Sequence, residues 1–302
     1  MVRLVDMPGE RGCEIRGEMT TNVDPAYHWN GAELDLDAYL ERIGYAGEPT
    51  PTPETLRLLH RAHTTALPFE NFDAVLGRGV ALDLAAVQDK MIRHRRGGYC
   101  FEHVTLFAAA LQRFGFEFTA HTGRVVMGEP TGLRPSTHAL LRVRTAADDR
   151  IWLCDVGFGA GPLEPYALAP DTGEFPSGDW RFRLEALRGA LDSELWALHQ
   201  FGPSGWIQRY TFTVEPKYRI DFEVGNLYVS TSPRSPFATR PYAQRFHPDV
   251  HHELNNRTWN TRYPDGRLET REPTIGELPE ILREVFDIEL GDEDFGRLEF
   301  AD

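Results

Sequence analysis

One cysteine of this chain stands where a thiol nucleophile is best placed. Cys100 follows the breaker pair Gly97-Gly98 and opens an apolar stripe of helical period that ends at Gly115. The amino end of a helix favours the thiolate form of a cysteine, and the thiolate is the reactive form. The alternative is a small buried hydrophobic residue, which is what most cysteines are.

A histidine and a carboxylate further along the chain complete the set that thiol catalysis needs. Segments 138–144 and 150–156 alternate in polarity, and the turn residues between them predict a hairpin. Folding this hairpin brings His138 within a residue or two of Asp155 across the strands. A thiolate needs a base, the base needs an orienting acid, and the order Cys, His, Asp is that of papain-like enzymes. The alternative is a purely structural His–Asp hydrogen bond.

The other histidines are weaker candidates for chemistry. His103 lies one helical turn after Cys100 but has no acidic residue placed to orient it, so we expect a core or wall histidine. His60 and His63 have HxxH spacing, and three more histidines cluster in HPDVHHE at 247–253. Neither cluster has the second pair of ligands that structural zinc requires, so no metal site is predicted.

The composition is that of an acidic chain of 302 residues, 41% of them hydrophobic, which is enough to bury a sizeable core. A formal net charge of −14 argues against a nucleic-acid partner. No apolar run approaches the roughly 20 residues of a membrane span, and the amino terminus has no apolar signal region. Cys13, Cys100 and Cys154 are too few for a disulfide framework. We therefore expect a cytoplasmic protein with reduced thiols and no membrane partner. The oligomeric state stays open between a monomer and a homodimer.

Hydrophobic periodicity divides the chain into three parts that follow an extension, residues 1–30. The helical period dominates residues 31–118, which carry the cysteine. Residues 119–220 carry the histidine and the aspartate and follow period two as a run of short strands, which indicates a barrel or sandwich. Residues 221–302 combine loops, a hairpin near 262–271 and one clear helix.

Cap and turn residues predict where several elements begin or end. The helix-start and helix-end residues are Gly44, Thr52, Asp83, Gly115 and Thr274. The predicted strands are 124–127, 138–144, 150–156, 180–187, 194–200 and 209–216.

Five segments together resemble the arylamine N-acetyltransferase family. They are LPFENFD (67–73), RRGGYCFEH (95–103), the TH of STHALLRV (136–143), DVGFG (155–159) and NLYVSTSPRSPF (226–237). They follow the family's order at similar separations, and the resemblance spans about residues 34 to 290. It implies an α+β, cysteine-protease-like fold of three domains: an N-terminal helical bundle, a central antiparallel β-barrel and a C-terminal α/β lid.

The resemblance also implies roles for single residues. Cys100 is then the nucleophile, His138 the base and Asp155 its orienting acid. The residues implied to line the acceptor pocket are Phe69, Phe158 and Phe237. The residues implied to lie near CoA are Arg134, Thr137, Gly157, Gly159 and Arg234. A surface ion pair is the alternative for Arg234, and Arg96 and Glu102 are expected to fix the loop that presents the thiol.

The activity implied by the resemblance is a ping-pong transfer of an acetyl group. Acetyl-CoA would acetylate Cys100, and the thioester would then acetylate the nitrogen of an arylamine, hydrazine or arylhydroxylamine, without a metal. One alternative is an amide synthase of the same fold that closes a macrolactam in polyketide biosynthesis. Two others are a noncatalytic CoA-binding protein and a hydrolytic cysteine protease, in which water is the acceptor.

Overall fold

The structure is a computed structural model, and it describes residues 29–127, 134–147 and 149–300. The helices are α1 (Leu36–Ile43), α2 (Pro53–Ala66), α3 (Phe72–Val75), α4 (Leu84–Gln88), α5 (Cys100–Phe114), α6 (Arg219–Thr231), α7 (Pro236–Thr239), α8 (Leu278–Glu284) and α9 (Asp292–Arg297). The strands are β1 (Phe69–Glu70), β2 (Glu117–Val125), β3 (His138–Arg144), β4 (Ile151–Cys154), β5 (Tyr166–Ala167), β6 (Glu174–Ser177), β7 (Trp180–Arg188), β8 (Glu194–Gly202), β9 (Gly205–Phe212), β10 (Tyr242–Phe246), β11 (His251–Asn255), β12 (Thr258–Arg262) and β13 (Leu268–Arg271). The expected extension lies outside the described residues up to residue 28.

The helix boundaries predicted from cap residues are confirmed. Gly44 ends α1 in the left-handed region, with φ 67°, where a glycine has no Cβ to clash. The hydroxyl of Thr52 accepts the backbone N–H of Thr55 at the start of α2. The carboxylate of Asp83 accepts the N–H of Ala86 in the same way at the start of α4. These local signals therefore fix the ends of the helices that surround α5.

Helix α5 lies inside the largest apolar core. It begins at Cys100, as predicted, and Gly115, with φ 78°, ends it. Nearly all of its side chains are buried, including the polar Glu102, His103 and Thr105, so burial extends beyond the single apolar stripe that the sequence predicts. The thiol is therefore attached to the first turn of a helix that is packed on all sides.

An antiparallel sheet of eight strands curls into a half-barrel beside α5. Its strand order is β5-β4-β3-β2-β9-β8-β7-β6, so β5 and β6 are its edges. Strand β3 packs against α5, which brings the strand that begins with His138 to the thiol helix. The expected β-barrel is confirmed in this open form.

Strand β2 begins earlier than the sequence predicts. The expected strand covers 124–127, whereas β2 spans Glu117–Val125. Its buried positions include Phe118, Ala120 and Gly123, of which only Phe118 is large and apolar, so the alternation in the sequence is weak. Strands β5 and β6, with 2 and 4 residues, are too short to give a periodic signal.

A second antiparallel sheet joins distant parts of the chain. Its order is β1-β10-β11-β12-β13, and β1 comes from the helical part. Strands β12 and β13 form the predicted hairpin, with Arg262 opposite Leu268. The predicted capping box is also confirmed, because Glu277 accepts the backbone N–H of Thr274 at 2.8 Å before α8.

Helix α6 is not predicted by the sequence, and its packing explains why. Its buried face consists of Phe222, Asn226, Val229 and Ser230, so polar residues hold half of it. Ile220, by contrast, is 61% exposed. A helix whose apolar residues do not follow its buried face gives no helical hydrophobic period.

Within the three described ranges, no helix combines the length and the apolar character needed to cross a membrane.

Candidate active site

Backbone contacts hold the loop that precedes Cys100. The carbonyl of Gly98 accepts the N–H of Glu70 at 2.9 Å, and the N–H of Gly98 donates to the carbonyl of Pro68 at 3.3 Å. A Cβ at Gly97 would lie 2.0 Å from the oxygen of Pro68, a distance that no side chain permits. The glycine pair therefore lets the loop lie directly against β1.

Buried charges fasten the same loop. The Arg96 guanidinium donates to Glu70 at 2.9 Å, and the Lys90 ammonium lies 2.8 Å from Glu102. Burial opposes the charge of Lys90, but Glu102 and Glu70 raise its pKa above the usual value. Glu102 also accepts the N–H of Tyr99 at 3.0 Å, which caps α5 next to the thiol. Arg96 and Glu102 thus have the structural positions expected of them.

The hairpin of β3 and β4 brings His138 and Asp155 together. Leu141 pairs with Cys154, and this register places Asp155 close to His138, as predicted. The distance from His138 Nε2 to Asp155 Oδ1 is 3.0 Å. Cys100 is close enough to the same imidazole to raise its pKa, and the thiol lies 3.3 Å from the carbonyl oxygen of Thr137, the residue before His138. The structure therefore brings thiol, imidazole and carboxylate into one row.

The charges in this row favour a protonated imidazole. Burial alone would lower the pKa of His138, but the Asp155 carboxylate and the contact with Cys100 raise it well above the usual value. His138 and Asp155 are both buried, 3% and 2% exposed, so bulk water screens their interaction little. An imidazolium beside the sulfur stabilises a thiolate as an ion pair, which is the form that attacks a carbonyl carbon.

Asp155 is held from two sides by residues that the sequence does not identify as its partners. The Tyr210 hydroxyl donates to Asp155 Oδ2 at 2.7 Å, and the Asp155 N–H donates to His60 Nε2 at 3.1 Å. Burial lowers the pKa of His60 to about 4, so its imidazole is neutral, and its Nδ1 donates to the carbonyl of Leu163 at 3.0 Å. His60 thus positions the orienting acid.

His103 is a buried wall histidine, in agreement with expectation. Its Nδ1 lies 3.0 Å from His63 Nε2, and its Nε2 lies 3.2 Å from the carbonyl oxygen of Pro68. Burial lowers the pKa of His103 to about 4, so it stays neutral. Among the described residues, histidine, cysteine and acidic side chains form no group of three arranged to hold a metal.

A cleft of about 620 Å³ opens onto Cys100 and His138. The three phenylalanines expected at an acceptor pocket, Phe69, Phe158 and Phe237, all line it. The Phe158 ring lies 5.0 Å from the His138 ring, and the Phe69 and Phe237 rings lie 5.6 Å apart, centre to centre. Aromatic walls suit a flat apolar ligand and reduce the access of water to the thiol.

The residues expected near CoA divide into two groups. Those that line the cleft are Arg134, Thr137, Gly157 and Arg234. Gly159 lies behind the cleft wall, where it has a φ of 80° and a Cβ would lie 2.5 Å from Gln244 Nε2. Close packing against Gln244 and Phe69 accounts for a glycine at this position.

Two of these residues lie against Cys100 itself. The thiol of Cys100 lies 3.3 Å from the carbonyl oxygen of Thr137. A Cβ at Gly157 would lie 2.6 Å from the Cα of Cys100. The DVGFG segment therefore packs directly against the first turn of α5.

The cleft is more basic than the rest of the chain. Its charged lining, apart from His138, consists of Arg134, Arg209, Arg234, Arg240, Arg262 and Glu253. This local positive charge contrasts with the formal net charge of −14 of the whole chain. Of these arginines, sequence analysis singles out only Arg134 and Arg234. The others come from strands and turns that are distant in sequence and meet only in the folded chain. Such a cleft suits an anionic ligand.

A thiol and an imidazole in the lining of an aromatic and cationic cleft, with a buried carboxylate 3.0 Å from the imidazole, are the groups that acyl transfer through a cysteine requires. A family model described as N-acetyltransferase matches residues 52–295. The crystal structure of Nocardia farcinica arylamine N-acetyltransferase is 65% identical in sequence, covers 91% of this chain and 97% of its own, and superposes with a TM-score of 0.88. The chain belongs to the arylamine N-acetyltransferase family.

Two further relatives extend the comparison. The arylamine N-acetyltransferase of Mycolicibacterium smegmatis is 34% identical over 278 residues, which are 86% of this chain and 94% of that protein. The structure of the Mycobacterium marinum arylamine N-acetyltransferase in complex with CoA is 33% identical, covers 88% and 97% of the two chains, and has a TM-score of 0.80. The expected family, the α+β fold and the acyltransferase class are thereby confirmed, and the amide synthase and binding-protein alternatives gain no support.

Proposed function

We propose that this chain acetylates the nitrogen of arylamines, hydrazines or arylhydroxylamines by a ping-pong reaction through acetyl-Cys100. The observation that carries the proposal is the position of Cys100 and His138 in the lining of the cleft, with Oδ1 of the buried Asp155 3.0 Å from His138 Nε2. In the first half-reaction the thiolate attacks the thioester carbon of acetyl-CoA. The bond to the CoA sulfur breaks, and this sulfur takes the proton of the His138 imidazolium.

The second half-reaction returns the enzyme to its starting state. The amine attacks the carbonyl carbon of acetyl-Cys100, and His138 takes the proton that the nitrogen loses. The sulfur of Cys100 leaves as a thiolate, again paired with the imidazolium. Backbone N–H groups near the thiol would stabilise the oxyanion in both steps. Aromatic walls around the thioester favour the amine over water as acceptor.

Acetyl-CoA is the proposed donor. The Mycobacterium marinum relative binds CoA in its crystal structure. In this chain the exposed arginines Arg134, Arg234 and Arg240 line the cleft and supply positive charge for the phosphates of such a cofactor. Thr137 and Gly157 line the same cleft and lie against Cys100, where the thioester arm of the cofactor would have to reach the thiol.

The proposed setting is a cytoplasmic monomer or homodimer with small-molecule partners and no nucleic acid or membrane. Cys100 and Cys154 are free thiols, and a reducing compartment keeps such thiols intact. The acidic charge of the chain disfavours nucleic acid. We propose that the chain has three domains, residues 31–118, 119–220 and 221–302, with the boundaries predicted from hydrophobic periodicity.

Initial-rate kinetics test the order of the reaction. Because CoA leaves before the amine enters, double-reciprocal plots against acetyl-CoA at several arylamine concentrations are expected to be parallel lines. The acceptors to use are a simple aniline and a hydrazine. Intersecting lines would require both substrates to be bound together and would refute the acetyl-enzyme route.

Arg234→Ala is expected to raise the KM for acetyl-CoA about 3- to 10-fold while the KM for the amine changes little. Arg234 is exposed on the cleft, and its guanidinium has no hydrogen-bond or ion-pair partner among the described residues. A phosphate contact is therefore favoured over a surface ion pair. Arg283→Ala is the control, since Arg283 is exposed and pairs with Glu284 on α8. An unchanged KM for acetyl-CoA would remove Arg234 from the cofactor site.

A further inference from the structure

Arg209 is a cleft arginine that differs from Arg134, Arg234 and Arg240 because it is less exposed to solvent. It lies on β9, lines the same cleft as Cys100, and is only partly exposed. Its guanidinium carbon lies 5.1 Å from the centre of the Phe158 ring. The same ring also contacts His138 and Tyr210, at 5.0 Å and 5.3 Å between ring centres. One aromatic side chain therefore separates Arg209 from the catalytic base.

The guanidinium of Arg209 has no ion-pair or hydrogen-bond partner among the described residues, and its Nε is buried without an acceptor. Glu253, the carboxylate in the lining of the cleft, already has other partners. It accepts the Tyr242 hydroxyl at 3.0 Å and the Asn260 amide at 3.2 Å, and Arg262 lies 3.7 Å away. Asp155, the other nearby acid, is paired with His138.

Burying a cation without a hydrogen-bonding or charged partner costs free energy, and a ligand that supplies such a partner removes part of this cost. Burial lowers the pKa of Arg209 below its ordinary value, although Tyr242 and Glu253 oppose the shift, so water does not fully compensate the charge. The contact with the Phe158 ring offsets part of this cost but leaves the N–H donors unused. A planar guanidinium with free donors matches a carboxylate, which it binds with two parallel hydrogen bonds.

We propose, building on the acetyl transfer inferred above, that Arg209 binds the carboxylate of aromatic amines that carry an acidic group on the ring. The amine nitrogen then faces acetyl-Cys100, and the aromatic ring of the acceptor lies along Phe158 between the thioester and the guanidinium. Arg209 is thereby a specificity-determining residue for aminobenzoate-like acceptors.

A phosphate of CoA is the competing ligand for the same guanidinium. The exposed arginines Arg134, Arg234 and Arg240 already offer the cleft's solvent-facing charge to such a group. Arg209 is instead less exposed and contacts a ring that itself contacts the base. This position favours the acceptor, and the two half-reactions distinguish the two ligands.

The first test compares 4-aminobenzoate with its uncharged methyl ester in wild type and Arg209→Met. The methionine keeps an apolar stem on Phe158 and removes the charge, so the comparison isolates the carboxylate contact. The ratio of kcat/KM for the acid to that for the ester is expected to fall about 10- to 100-fold in the variant. Arg209→Lys keeps a positive charge but cannot donate two parallel hydrogen bonds to one carboxylate. Its ratio of kcat/KM values is expected to lie between those of wild type and Arg209→Met. An equal loss for acid and ester in Arg209→Met would overturn the proposal.

The second test needs no acetyl transfer, so it stands even if the ping-pong route fails. Titration calorimetry on the unacetylated enzyme measures benzoate and benzamide binding in wild type and in both variants. Benzoate is expected to bind wild type more tightly than benzamide, and Arg209→Met is expected to remove the difference. Rates of Cys100 acetylation at varied acetyl-CoA complete the comparison. A raised acetyl-CoA requirement in Arg209→Met, with benzoate binding unaltered, would assign Arg209 to the cofactor and overturn the proposal.

Discussion

Cys100→Ala is expected to lower kcat/KM for acetylation of an arylamine by at least about 10⁴-fold. In the proposed mechanism the sulfur is the atom that receives the acetyl group, and no other described thiol can replace it. Cys154, the other cysteine in the described part of the chain, is fully buried, and burial raises the pKa of its thiol well above the usual value. Without Cys100 the amine must attack acetyl-CoA directly, without a covalent intermediate. Steady-state assays with purified variants measure the loss.

Cys154→Ala is the matched control for this experiment. It removes a buried thiol next to Asp155 in sequence but not the nucleophile, so activity is expected to persist once a modest loss of stability is allowed for. Circular dichroism and thermal unfolding check that both variants are folded. Activity of Cys100→Ala within tenfold of wild type would mean that acetyl transfer does not pass through this cysteine.

Asp155→Asn is expected to lower kcat about 10³- to 10⁴-fold with little change in fold. The amide has the same shape as the carboxylate but no charge, so it no longer stabilises the imidazolium of His138. The pKa of His138 then falls, because the largest effect that opposes burial has been removed. An amide can also turn its N–H₂ group toward His138 and favour the wrong tautomer.

The pH dependence of thiol alkylation measures this effect separately from turnover. In wild type the imidazolium persists above neutral pH. We therefore expect iodoacetamide to alkylate Cys100 at pH 6 to 7, as it would a thiolate that is paired with a histidine. In Asp155→Asn the rate at that pH is expected to fall, since the histidine is then neutral. Unchanged alkylation and unchanged kcat would show that Asp155 is a structural residue only.

Tyr210→Phe provides a graded control for the same residue. It deletes the hydroxyl that donates to Asp155 Oδ2 but leaves the charge of the carboxylate in place. The loss of one hydrogen bond to a charged group corresponds to about a tenfold decrease in kcat, far less than the loss of the charge. A decrease as large as that of Asp155→Asn would mean that the position of the carboxylate matters more than its charge.

The elements that the sequence predicts well are those set by local chemistry. A capping residue, a glycine at a helix end or an alternating strand acts within a few positions of the chain. The helix start at Thr52, the helix end at Gly115 and the hairpin that carries His138 and Asp155 could therefore be predicted from the sequence. The thiol helix was equally clear, because its apolar stripe begins at Cys100. The helix start at Cys100 and the two strands are local patterns, and the register between β3 and β4 brings His138 and Asp155 together.

The features that the sequence does not reveal depend on contacts between distant residues. His60 reaches the backbone of Asp155 across 95 positions, and Tyr210 reaches its carboxylate across 55. Nothing near either residue in the chain indicates this partner. Arg209 is similar, because its unpaired state depends on how β9 faces Phe158 and Glu253 after folding. Helix α6 is hidden because its buried face is half polar.

Intact-protein mass spectrometry of wild type and Cys100→Ala with acetyl-CoA, followed by an arylamine, tests the central claim most directly. Wild type is expected to gain one acetyl group, which peptide mapping places on Cys100, and to lose it when the amine is added and the acetylated amine appears. Cys100→Ala is expected to gain none. A folded wild-type protein that binds CoA yet never carries an acetyl group would contradict the acetyl-cysteine mechanism.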